Sequence, residues 1–106
     1  MQSVLIVCGA GASSTFLASR MRSLAASRGL DLTVSAASES EVRTRLHTTS
    51  VLLVGPHLAP SFDALAAEAA AFEVPAGLLP QNAFAAGGAE LALDLVATLV
   101  SRTPAS

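Results

Sequence analysis

Runs of consecutive apolar residues alternate along this chain with stretches in which apolar positions recur every three or four residues. Ser3-Val4-Leu5-Ile6-Val7 is the first run, of the β-branched kind that fills strands buried on both faces. A stretch of small residues follows, Cys8-Gly9-Ala10-Gly11-Ala12-Ser13-Ser14-Thr15, read as a loop. After it Leu17, Met21, Leu24 and Arg28 fall at helical spacing, with Gly29 as a stop. Residues 30–36 alternate apolar and polar, as a more exposed strand does. Ser38-Glu39-Ser40-Glu41 then fits a capping box opening a short helix through Leu46.

The pattern continues with a second buried-type run, Val51-Leu52-Leu53-Val54, stopped by Gly55-Pro56. A loop to Pro60 is predicted next, with Pro60 as the first residue of a helix. Phe62, Leu65, Ala66, Ala69 and Phe72 trace that helix's apolar stripe, and Phe16, Phe62 and Phe72 all read as core. Residues 74–79 form a fourth strand, which Pro75 and Gly77 assign to an edge. After a loop over 80–88, Ala92, Leu95, Val96, Leu99 and Val100 mark a final helix, and residues 103–106 read as a frayed end. Strands alternating with helices through short connections imply a parallel sheet covered on both faces, joined by right-handed crossovers. The predicted fold class is α/β: a four-stranded parallel doubly wound sheet of flavodoxin-like or phosphatase-like shape, with residues 1–102 as one domain.

Composition narrows the function. The 106 residues match one domain, and 52% hydrophobic against 13% charged residues is too apolar for disorder. A net charge of −2, six basic residues and no Trp or Tyr leave neither a cationic track nor a stacking platform, so no nucleic-acid partner is expected. No apolar run approaches the roughly 20 residues of a membrane span, and the first run is too short for a signal-peptide core. A cytoplasmic protein is expected. The single cysteine excludes an internal disulfide and a multi-thiolate metal site. It is either core filler or a reactive thiol.

Position favours the reactive thiol. In a doubly wound sheet, ligands bind beyond the carboxyl ends of the strands at the topological switch point, beside the first strand. Cys8 follows that strand and opens a loop leading into a helix N-terminus, where backbone N–H groups and the positive end of the helix dipole favour an anion. Gly9 and Gly11 let the backbone approach a ligand closely. Ala10 and Ala12 keep the loop small, and the Ser13, Ser14 and Thr15 hydroxyls add donors. The same donors lower a thiol's pKa, so the pattern points to phosphoryl chemistry at sulfur.

Residues 7–15 resemble the active loop of enzyme IIB, lactose/cellobiose class, of the phosphoenolpyruvate-dependent sugar phosphotransferase system. The resemblance extends through Ser38-Glu39-Ser40-Glu41, through Val51-Leu52-Leu53-Val54-Gly55-Pro56, and to the Val74-Pro75 strand and closing helix. It implies that Cys8 takes a phosphoryl group from a phosphohistidine of the A component. Cys8 would then pass it to a sugar entering through the membrane C component, so the chain would visit the inner face of the membrane. It implies no cofactor and no metal, and a monomer that meets its partners briefly is expected. Two positions depart from the family pattern: Ala12, where many members carry a larger residue such as Met, and His57, where Gln commonly follows Gly-Pro. Cys-Gly-Ala-Gly with paired serines also resembles the ascorbate and galactitol B components.

Other readings stand beside this one. A low-molecular-weight cysteine phosphatase, or an arsenate reductase of that fold, places its nucleophile in the same loop, but within a Cys-x5-Arg pattern. Here the sixth residue after Cys8 is Ser14, and no basic residue precedes Arg20, so nothing clamps the transferring oxygens. A receiver domain lacks its acidic cluster after the first strand and its Asp after the third. A non-enzymatic flavodoxin-like binding module, with Cys8 incidental, would have only four Phe rings for a flavin. His57 follows the third strand at the edge that carries Cys8 and is a candidate auxiliary residue. His47 near a helix end, Glu39 and Glu41 at a helix start, and Asp63 have capping or dipole roles. Arg20, Arg22 and Arg28 read as a solvated face, with partner docking as the alternative for Arg20 and Arg22.

Overall fold

The computed structural model describes residues 2–7, 12–30, 32–79 and 88–102, and of residues 2, 12–15, 57 and 100–102 the backbone alone. Four strands, β1 (Gln2–Val7), β2 (Leu32–Ala37), β3 (Val51–Val54) and β4 (Ala76–Leu78), lie in the order β2-β1-β3-β4. Every pairing is parallel. Val7 stands opposite Ala37 and Val54, and Val54 opposite Leu78, so the strands end in step. The order reverses between β1 and β3, which makes their carboxyl ends the switch point of the sheet.

The helices are α1 (Ala12–Ser27), α2 (Val42–Arg45), α3 (Phe62–Ala71) and α4 (Gly88–Arg102). Successive side chains of the central strands point to opposite faces. Val4, Ile6, Val51 and Leu53 meet Leu17, Ala18 and Met21 of α1 and Ala92, Leu93 and Val96 of α4. Leu5, Val7, Leu52 and Val54 meet Val42 of α2 and Leu65 and Ala69 of α3. Burying each such side chain contributes about 1.5–3 kcal/mol, so the two central strands, enclosed on both sides, are the most strongly determined part of the fold. At the β4 edge, α4 comes so close that a Cβ on Gly77 would stand 2.8 Å from Leu99 Cδ1, which explains a glycine in that strand.

Several elements differ from their sequence-based bounds. Helix α1 opens at Ala12, so residues 12–15 form its first turn and not the end of a loop. The stretch before Pro60, expected as a loop, and Pro60 itself, expected to open the helix, belong to two 3-10 turns over Pro56–Ser61 that meet at a kink at Leu58 (φ −101°, ψ 17°), and α3 opens at Phe62. The 3-10 pattern tolerates both prolines because each falls within or near a first turn, where an amide donor is dispensable. Gly88, assigned to a loop, begins α4. Around α2, 3-10 turns over Glu39–Glu41 and Leu46–Thr48 extend the short helix on both sides. Phe16 and Phe72 are not core: they are 62% and 49% exposed. The expected tail 103–106 and loop 80–87 lie outside the described residues.

Candidate functional site

The carboxyl edge of the sheet is built by strand ends and helix starts. Val7 closes β1, with its carbonyl accepting a 2.7 Å hydrogen bond from the Gly55 N–H. That bond ties the turn after β3 to the last residue before Cys8. Val7, Val54 and Gly55 are all buried, so the floor beneath the edge is closed to solvent. The Leu79 N–H donates to the Val54 carbonyl at 2.8 Å, extending the ladder one step past β4.

Cys8, Gly9, Ala10 and Gly11 lie outside the described residues. They bridge the end of β1 at Val7 and the start of α1 at Ala12, which is the switch point that the strand order defines. Ala12, Ser13, Ser14 and Thr15 supply the first turn of a 16-residue helix. The first-turn amides of a helix have no intrahelical acceptors, and the helix dipole adds partial positive charge there. The backbone of these four residues therefore offers donors at the site whatever their hydroxyls do. Residue 57 sits in the 3-10 turn two positions past Gly55, at the same edge as the bridge. Its backbone lies at the carboxyl edge of the sheet, and its side chain lies outside the description.

At the same edge, Ser38 follows β2, one residue past the partner of Val7. Its N–H and hydroxyl donate to Glu41 Oε1 at 3.5 and 2.9 Å, which makes this pair a capping device, as the sequence predicts, and leaves the Glu41 carboxylate occupied. His47 is exposed in the turn at the far end of α2 and takes no part. Among the described residues no group of three or more His, Cys, Asp or Glu side chains is placed to hold a metal, and no helix is long and apolar enough to cross a membrane.

One surface feature beside this edge was missed by the sequence reading. Phe16, one turn into α1, projects into solvent, and the Arg20 guanidinium carbon lies 5.4 Å from its ring centroid. The signal was present in the stripe Leu17, Met21, Leu24: a residue one position before the stripe points roughly 100° away from it.

With the strand order, the strand ends and the anchoring of the β3 turn in place, the comparison with known families decides the class. The family model "PTS system, Lactose/Cellobiose specific IIB subunit" matches residues 3–85. The chain belongs to this family. Its role is accordingly phosphotransfer in a sugar phosphotransferase system, in which IIB domains work with IIA and IIC components. Two solved structures are similar in fold. The lactose-specific IIB component domain from Streptococcus pneumoniae superposes with a TM-score of 0.82 at 12% identity, covering 92% of this chain and 96% of that one. The cellobiose-specific IIB component from Borrelia burgdorferi gives 0.78 at 21% identity, covering 99% and 96%. No curated protein sequence matches significantly. IIB membership favours phosphotransfer over the phosphatase, receiver and flavodoxin-like binding-module readings.

Proposed function

We propose that this IIB-family chain carries a phosphoryl group on Cys8, received from a phosphohistidine of an A component and delivered to a sugar presented by a membrane C component. The observation that supports this reading best is the coincidence of three things: family membership, the single cysteine directly after Val7, and the switch point between β1 and β3. In the first transfer the thiolate sulfur attacks phosphorus in line. The S–P bond forms as the N–P bond of the donor breaks, and the proton lost by the thiol is balanced by the one the leaving imidazole takes up. Backbone N–H groups of residues 9–15 neutralise charge on the equatorial oxygens.

The lack of an arginine in the loop suits a carrier better than a hydrolase. N–H and O–H donors hold the phosphoryl group, and no base activates water against it. His57 is assigned an auxiliary place beside the phosphoryl group on the strength of its position two residues past Gly55. A base for the sugar hydroxyl and a sugar pocket belong, in this proposal, to the C component. Residues 1–102 act as one IIB-type domain with 103–106 as a tail, monomeric and cytoplasmic, meeting the inner face of the membrane during transfer.

Intact-protein mass spectrometry tests the proposal. Wild type and Cys8→Ser are incubated with phosphoenolpyruvate, the general phosphotransferase proteins and lactose/cellobiose-class A components. The expected result is a single phosphoryl adduct on wild type alone. An equal adduct on Cys8→Ser, or none on wild type beside a demonstrably charged cognate donor, would overturn it.

A further inference from the structure

We propose that Phe16 and Arg20 form the anchor on which the phosphorylated A component docks, an inference that rests on the carrier reading of Cys8. Phe16 is the most exposed large hydrophobic residue among those described, at 62%, and it is not loose. The Arg20 guanidinium stacks against it at 5.4 Å from the centroid, which restricts the ring before any partner arrives and lowers the entropy cost of binding. Aromatic and arginine side chains held in this way are the usual energetic centres of protein interfaces.

Position and charge identify the occupant. A transient interface covers about 600 Å² per side, equivalent to a disc of roughly 14 Å radius. Phe16 lies about 6 Å along the helix axis from Ala12, where α1 opens at the site. A donor centred on the start of α1 with an interface of this size therefore extends over this ring. Among the arginines whose side chains are described, Arg28 lies 3.8 Å from Asp94, Arg43 3.0 Å from Glu68 and Arg45 3.9 Å from Glu41. Among the described residues Arg20 and Arg22 have no carboxylate partner, and both are exposed on α1. In a chain of net charge −2, the arginines without a carboxylate partner among the described residues thus both lie on the helix that begins at the site. The complement of their positive charge is a donor bearing a phosphorylated histidine, whose added negative charge leaves with the phosphoryl group. Attraction to Arg20 and Arg22 then weakens as transfer completes, which favours release of the spent donor.

The test measures phosphoryl transfer from a charged lactose/cellobiose-class A component to wild type, Phe16→Ala, Arg20→Gln and, as a distant exposed ring, Phe72→Ala. Melting temperature and the rate of Cys8 alkylation are measured on each. Phe16→Ala is expected to raise KM for the phosphorylated donor at least tenfold, with kcat within about threefold of wild type and unchanged alkylation. Arg20→Gln is expected to raise KM three- to tenfold and to flatten its salt dependence, and Phe72→Ala to match wild type. Unchanged KM values for Phe16→Ala and Arg20→Gln beside a normally phosphorylated wild type would overturn the docking assignment and leave the carrier reading intact. So would a loss confined to onward transfer to the C component in membrane vesicles. Failure of wild type itself to accept the group would overturn both.

Discussion

The two ends of the sheet are built from the same elements and do different work. At the carboxyl end, strands stop in step at Val7, Ala37, Val54 and Leu78, and helical segments start at Ala12, Glu39 and Pro56. Helix starts present unused N–H groups, so this end is open to an anion by construction. At the amino end the same helices finish, and their last carbonyls are consumed locally. After α1, the Leu30 N–H donates to Ala25 at 2.8 Å and the Gly29 N–H to Ala26 at 3.1 Å. After α3, Val74 donates to Ala69 at 2.9 Å and Glu73 to Ala70 at 3.0 Å. Hydroxyls add further bonds, with Thr33 Oγ1 donating to Ser3 Oγ at 3.1 Å and the Ser3 N–H to Ser50 Oγ at 3.2 Å. One end keeps hydrogen-bonding capacity for a ligand, and the other spends it on the fold. Substitutions at the first should therefore change transfer without changing stability, and substitutions at the second the reverse.

The largest expected effect is at the open end. Cys8→Ser should abolish phosphoryl acceptance while leaving the melting temperature within about 2 °C of wild type, since in the carrier reading the thiol serves a ligand and not the core, and a one-atom change away from the core falls within roughly 0.5 kcal/mol. A large fall in stability would mean that the cysteine is core filler and would erase the contrast between the ends. Midway between them, Leu53→Ala should remove about 2–5 kcal/mol, measured by urea unfolding. Leu53 is fully buried between β1, β4, α1 and α4, and the close-packed layer has little room to collapse into the cavity. A loss of that size would unfold part of the population, so transfer activity should fall in proportion to the folded fraction and be restored by cooling.

The parts legible in the sequence are those that a single dominant force determines. The runs Val4-Leu5-Ile6-Val7 and Val51-Leu52-Leu53-Val54 admit only a doubly buried strand, and they lie at the centre of the sheet. The strand–loop–helix order puts the connection between β1 and α1 at the switch point, and the sheet order β2-β1-β3-β4 bears out that switch point. Where forces balance, the reading failed. Ala12, Ser13 and Ser14 suit a helix start and a loop almost equally, so the first turn of α1 was read as loop. Pro56 and Pro60 signal irregular backbone but do not distinguish a loop from 3-10 turns. Phe16 and Phe72 were assigned to the core on hydrophobicity alone, although Phe16 is out of phase with Leu17 and Met21, and Phe72 sits at the C-cap, where the helix has already begun to turn away.

At the closed end the two helix termini form a natural experiment, because they share one hydrogen-bond pattern and differ in the residue at the left-handed position. Gly29 has φ +72°, and a Cβ there would meet nothing within 4 Å. Gly29→Ala should therefore cost about 1 kcal/mol from backbone strain alone, lowering the melting temperature by roughly 4–8 °C. Glu73 adopts φ 59° with a side chain attached. The strain it carries, about 1–2 kcal/mol, is relieved in Glu73→Gly, while the glycine's freedom in the unfolded chain takes back roughly 0.5–1 kcal/mol. The expected net is a gain of about 0.5 kcal/mol, a rise of roughly 2–4 °C. Glu73→Asn tolerates the left-handed region with less unfolded-state freedom than glycine, so it should gain at least as much. Both variants should transfer phosphoryl groups at the wild-type rate, since residue 73 lies at the end of the sheet opposite the candidate site. A stabilised Glu73 variant with slower transfer would show instead that the two ends are coupled through α3. The strain at Glu73 would then act on the site that the Gly55–Val7 hydrogen bond anchors.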